Sequence, residues 1–143
     1  MERVTPTMRL RLWLETPGGM LLGLGRVELL LRIQESGSLN KAAKAMGMSY
    51  RAAWGRLKAS EKMAGEPLME KSGGQRGFVL TPGGERLAQA FKEWYADVEG
   101  YALKRAQEKF PWPVSPFAEA LSDGSIKAAT HDAKCKSDSA GED

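Results

Sequence analysis

A mostly helical domain with small β elements is predicted for this chain, on three observations. Residues 36–58, SGSLNKAAKAMGMSYRAAWGRLK, form two alanine-rich helical pieces hinged on Gly47. Two short apolar runs, residues 66–70 and 78–80, flank a glycine-rich turn directly afterwards. Large apolar residues between Leu87 and Ala102 then recur at helical spacing. Together these predict a winged helix-turn-helix with an N-terminal β-hairpin and a long C-terminal dimerisation helix.

Residues 8–14 alternate apolar and polar, the period of a half-buried strand. Thr16, Pro17, Gly18 and Gly19 make a turn, and Met20, Leu22 and Leu24 resume the two-residue period. A hairpin of strands 8–15 and 20–24 is expected. Val27, Leu30, Leu31 and Ile33 place a first helix over residues 26–35, which Ser36, Gly37 and Ser38 end.

Ser38 or Asn40 can cap the second helix, whose Leu39, Ala43 and Met46 share one face. Gly47 suits the left-handed conformation that ends it. Ser49 is a second cap, and Ala53, Leu57 and Ser60 continue as the inner face of a third helix. Small Ala43 and Ala53 let the two axes cross closely, and this helix–turn–helix spacing is the DNA-reading arrangement. The runs 66–70 and 78–80 form a second hairpin where such a domain carries its wing. Thr81 as cap and Pro82 as first helical residue then open the last helix, which residues 110–116 (FPWPVSP) terminate.

The 143 residues allow one domain, 1–110, followed by a tail of low order, 111–143. The first part holds 18 Lys and Arg against 12 Asp and Glu, a net of +6; the second holds 3 against 6, a net of −3. Residues 38–76 alone carry a net of +5. A basic body of this kind can neutralise phosphates and release counterions. Cys135 and His131, each the sole residue of its type, leave no basis for a single-chain Cys/His zinc site or disulfide framework. They also leave the body without a nucleophile–base pair, so no enzyme, metal or cofactor is expected. No apolar run of about 18 residues suggests a membrane span. The N-terminus lacks a secretory layout, and a cytoplasmic location follows.

The third helix carries the expected chemistry. With its inner face removed, Ser49, Tyr50, Arg51 and Arg56 remain to read bases, arginine because its fork can bond O6 and N7 of guanine. Lys41, Lys44, Lys58 and Arg76 would hold phosphates or enter the minor groove. Gly55 is costly inside a helix, by about 1 kcal/mol, unless a DNA backbone or neighbouring element approaches there. Trp54 either packs toward the N-terminal hairpin or the first helix, or lies against DNA; packing is the commoner fate of tryptophan. The glycines around Arg76 either bring the loop to a phosphate backbone or only make the turn. The last helix exposes Leu87, Phe91, Trp94, Val98 and Tyr101 beyond what about 85 residues could bury, which points to a homodimer.

These residues resemble a known family. Gly37-Ser38-Leu39, Ala42-Ala43, Met46-Gly47-Met48-Ser49-Tyr50 and Ala53-Trp54 are similar to the N-terminal DNA-binding domain of ModE, the molybdate-responsive bacterial regulators. Gly65-Glu66-Pro67-Leu68 and Leu80-Thr81-Pro82-x-Gly84-Glu85 look similar to ModE and to the broader LysR-type winged helices. The resemblance covers roughly residues 8–108. It implies a dimeric transcriptional regulator that binds double-stranded DNA, with the last helix pairing subunits and the wing flanking the major-groove helix. The wing is shorter than is usual in ModE. The residues after Trp112 are too few for the β-rich molybdate module, so molybdate or other oxyanion sensing by that route is not supported. The alternative is a winged-helix module for protein–protein interaction, its basic face incidental.

Overall fold

The computed structural model describes residues 4–72 and 77–117. Its elements in order are β1 (Thr7–Met8), β2 (Trp13–Thr16), β3 (Gly19–Gly23), α1 (Leu24–Ser36), α2 (Leu39–Ala45), α3 (Tyr50–Ala64), β4 (Met69–Lys71), β5 (Phe78–Leu80), α4 (Pro82–Lys109) and β6 (Ser115–Pro116).

Helix α1 is the centre of the core. It packs against α2, α3, α4, β3 and β5, and Val27, Leu29, Leu30 and Ile33 are all buried. Each such side chain contributes about 1.5–3 kcal/mol on leaving water. The helix starts directly from the extended backbone of Gly23, two residues earlier than its apolar period suggested. It ends on Gly37, at φ 71°, whose N–H reaches Ile33 O at 2.7 Å. Glu28 is also buried, where its carboxylate accepts from Arg32 Nε at 2.6 Å one turn on. Burial pushes the Glu28 carboxyl above the usual carboxylate range, and Arg32 pulls it back down.

The N-terminal hairpin is shorter than its sequence period. Only Trp13–Thr16 pairs with Gly19–Gly23, with an irregularity between Leu14 and Glu15. The expected strand 8–15 is therefore two pieces, because the partner strand offers five residues and no more. Met8 belongs instead to β1, which pairs in parallel with β6. Between the two pieces, Tyr95 of α4 donates its hydroxyl to Leu10 O at 2.6 Å and fastens the segment to the core.

Helix α4 has 28 residues and spans roughly 42 Å. Thr81 caps it, accepting from Gly84 N–H at 3.0 Å, with Pro82 in the first turn as expected. Its first half enters the core through Ala88, Phe91 and Tyr95; Leu87 and Trp94 pack against that core. Phe91, expected on a subunit interface, is 2% exposed and meets Trp94 edge-on and Tyr95 in a stack. The correction follows from the crossing of α4 over α1, which turns this position inward. Beyond Tyr95 the helix has no buried residue, and Tyr101 is 64% exposed.

The chain then returns along the N-terminal segment. Gln107 Nε2 donates to Val114 O at 3.1 Å, Ser115 N–H donates to Pro6 O at 2.9 Å, and Val114 is buried. Contacts with the N-terminal segment thus continue past residue 110, through Ser115 and Pro116. The prolines at 111, 113 and 116 favour extended backbone, which suits an edge pairing of this kind. The rest of the expected tail, residues 118–143, lies outside the described residues.

Candidate nucleic-acid interface

The surface is built from α2 and α3 and the turn between them. Ser38 caps α2 by accepting from Lys41 N–H at 3.0 Å, so of the two candidate caps it is Ser38 that serves. Leu39, Ala42 and Ala43 face the core, which leaves Lys41 and Lys44 exposed. Met46 ends α2, and Gly47 follows in the left-handed region at φ 70°. Met48 N–H reaches back to Ala43 O at 3.0 Å, so the turn consumes the free carbonyls at the end of α2.

Ser49 then caps α3 through Ala52 N–H at 3.0 Å. The hydroxyl is the acceptor in this bond, so its own proton remains to donate. Ala53, Leu57 and Ser60 are completely buried, as the inner face requires. Tyr50, Arg51, Gly55, Arg56 and Lys58 are exposed. Among the described residues no carboxylate lies within ion-pair distance of Lys41, Lys44, Arg51 or Arg56. A Cβ placed on Gly55 would meet nothing within 4 Å, so no neighbouring element among the described residues accounts for that glycine.

Two expected site residues are engaged by the protein itself. The Lys58 ammonium pairs with Glu61 Oε1 at 3.1 Å and lies 4.6 Å over the Trp54 ring. Tyr50 stacks on Trp54, with centroids 6.3 Å apart and planes 14° apart. Trp54 does pack, but against the wing: it meets Phe78 of β5 edge-on at 5.9 Å. Arg76 lies outside the described residues.

The sequence reading passed over two residues here. Arg26, at the first turn of α1, donates to Ser60 Oγ at 3.0 Å and to Met20 O. Its guanidinium is held below the usual arginine range, first by burial and second by the like charge of Arg56. Glu61 is the other: its Oε2 accepts Leu68 N–H at 2.8 Å and Met69 N–H at 3.3 Å, where β4 begins. Neither has a sequence signal, since their partners lie far along the chain or on its backbone. In the wing itself β4 and β5 pair as Met69↔Leu80, Glu70↔Val79 and Lys71↔Phe78.

Residues 24–85 match the family described as bacterial regulatory helix-turn-helix protein, lysR family. They span α1 to the start of α4, the elements that build this surface. Over these residues the chain is similar to LysR-type helix-turn-helix domains. The transcriptional regulator ModE of Haemophilus influenzae is 44% identical to the chain over 69 residues, 46% of this chain and 27% of that protein. The molybdenum transport protein ModE of Azotobacter vinelandii is 34% identical over 102 residues, 69% of this chain and 37% of that protein. The chain therefore spans well under half the length of these relatives. A crystal structure of a LysR family transcriptional regulator superimposes with a TM-score of 0.51 at 23% identity. The match covers 67% of this chain and 32% of that one, and it supports a winged-helix fold. Among the described residues there is no helix long and apolar enough to cross a membrane, and no cluster of metal-ligating side chains. His131 and Cys135 lie outside the described residues.

Proposed function

We propose that the chain is a sequence-specific, non-catalytic DNA-binding regulator of transcription that acts in the bacterial cytoplasm as a homodimer. The observation that carries this reading is the outer face of α3: Tyr50, Arg51 and Arg56 exposed around an open Gly55, with no carboxylate among the described residues to neutralise the arginines. That face would enter the major groove, Arg51 and Arg56 reading base edges and Ser49 and Tyr50 contacting bases at the helix start. Lys41 and Lys44 on α2 would hold the adjoining phosphates, with Lys58 and Arg76 on the side of the wing. The likeness of residues in this domain to ModE regulators supports the same reading.

The test is binding of fluorescent duplexes, selected from genomic fragments by the purified chain, over a range of salt concentrations. Affinity should fall steeply with salt, log K against log salt having a slope of about −0.9 for each phosphate neutralised. Binding that is absent, or insensitive to salt and sequence, would favour a protein-interaction module instead.

For the homodimer, the outer half of α4 supplies the surface. Leu87 and Trp94 are half-buried, and Val98 and Tyr101 continue the stripe away from the core. Phe91 backs this surface from within. Replacing Val98 and Tyr101 together by alanine should shift sedimentation equilibrium toward monomer while leaving the circular dichroism spectrum unchanged. An unaltered association constant would remove α4 from the interface.

A further inference from the structure

The wing is tied to the helix-turn-helix at three points, one in the turn before α2 and two on α3. Phe78 N–H of β5 donates to Gly37 O, in the turn between α1 and α2, at 3.0 Å. A Cβ on Gly77 would stand 2.5 Å from that same carbonyl, so the approach requires glycine there. The Phe78 ring meets Trp54 of α3 edge-on. Glu61, one turn from the end of α3, receives the N–H groups of Leu68 and Met69 where the chain enters β4. Lys58 joins the last two ties, because its ammonium pairs with Glu61 and covers the Trp54 ring.

We infer that Glu61 and Trp54 are positioning residues that set the wing beside α3, so that DNA meets helix and wing as one fixed body. Glu61 is 9% exposed and lies 11 residues after Tyr50, roughly 16 Å along the helix, too far to read bases beside it. Its carboxylate accepts from two backbone donors and one ammonium. Bonds of this charge-assisted kind are about twice as strong as neutral ones. The wing hairpin has only three residues in each strand and cannot hold its own orientation. Trp54 fixes the second strand by shape, and the stacked Tyr50 carries that order to the reading end of α3.

The inference rests on the DNA-binding reading, and the variant Glu61→Gln separates the two. In the full chain, the Leu68 and Met69 amide resonances should move upfield and lose hydrogen-exchange protection. On a selected duplex, hydroxyl-radical footprinting should show the major-groove protection retained and the flanking wing protection lost. The salt slope should become shallower by about 0.9 for each wing phosphate given up. A Glu61 without a positioning role predicts the reverse: removing a negative charge would tighten binding and leave the footprint whole. That result would overturn the inference. Trp54→Leu, which alters no charge, gives the same readout should the glutamine variant fail to fold; full wing protection in it would equally overturn the inference. Wild-type chain that binds no DNA defeats the functional reading, while the amide shifts still report whether the clamp exists.

Discussion

Replacing Arg51 and Arg56 together by alanine is expected to cost about 1–3 kcal/mol of DNA affinity for each arginine that reads a base. Both side chains are exposed, and neither has an ion-pair partner among the described residues, so no contact of the fold is lost with them. Thermal stability should hold or rise slightly, since Arg56 lies within electrostatic reach of the half-buried Arg26 and that repulsion disappears. Specificity should relax at the base pairs the arginines contact, and the salt slope should change less than affinity does. Arg86→Ala is the matched control: this arginine pairs with Glu66 at 3.5 Å at the start of α4, away from α3. Fluorescence anisotropy on a selected site compares both variants with the wild type. Equal affinity and equal salt slope in the double variant would remove α3 from the interface.

The largest stability effect is expected at Gly84. A Cβ there would stand 2.1 Å from the backbone carbonyl oxygen of Leu68, which itself accepts from Thr81 N–H at 3.1 Å. Neither backbone can yield without breaking the cap of α4 and the start of the wing. Gly84→Ala should therefore destabilise by about 3 kcal/mol or more, at the upper end of overpacking costs. Gly83 makes the contrast. A Cβ there would stand 2.1 Å from Glu66 Oε1, the tip of a flexible side chain that can swing into solvent. The cost of Gly83→Ala should be well under half that of Gly84→Ala. Chemical denaturation of the two variants checks this, and equal losses would show that the Leu68 carbonyl is not the constraint.

Much of the candidate site was legible because it depends on local chemistry. Ser38 and Ser49 each cap through the N–H three residues on, a bond confined to one helical turn. Gly47 and Gly37 adopt left-handed backbone that few other residues enter. The inner face of α3 followed from the helical period, and Ala53, Leu57 and Ser60 are its buried members.

The misses share another cause. The sequence leaves Trp54 either packing toward the N-terminal hairpin or the first helix or lying against DNA; in the structure it meets Phe78, 24 residues away. Helical period shows that a residue leaves the solvent on one side but not which element covers it. Phe91 was assigned outward because the stripe on α4 is longer than one domain can cover. Only the crossing with α1 divides that stripe into a buried part, ending at Tyr95, and an outer part beyond it. The two halves of the expected strand 8–15 carry the same alternation, and the partners available to each separated them.

The chain by itself determined where α2 and α3 are capped, which face of each turns inward, and which cations they leave in solvent. Those properties arise from neighbours within about one turn, and a linear sequence states them directly. Tertiary structure alone decided that Glu61 and Trp54 meet the wing, that Arg26 stands within electrostatic reach of Arg56, and that Ser115 and Pro116 pair with Thr7 and Met8. Each of these joins residues distant in sequence, or a side chain to a backbone group. Such groups come together only when the core brings their elements into contact, and no local pattern encodes that approach.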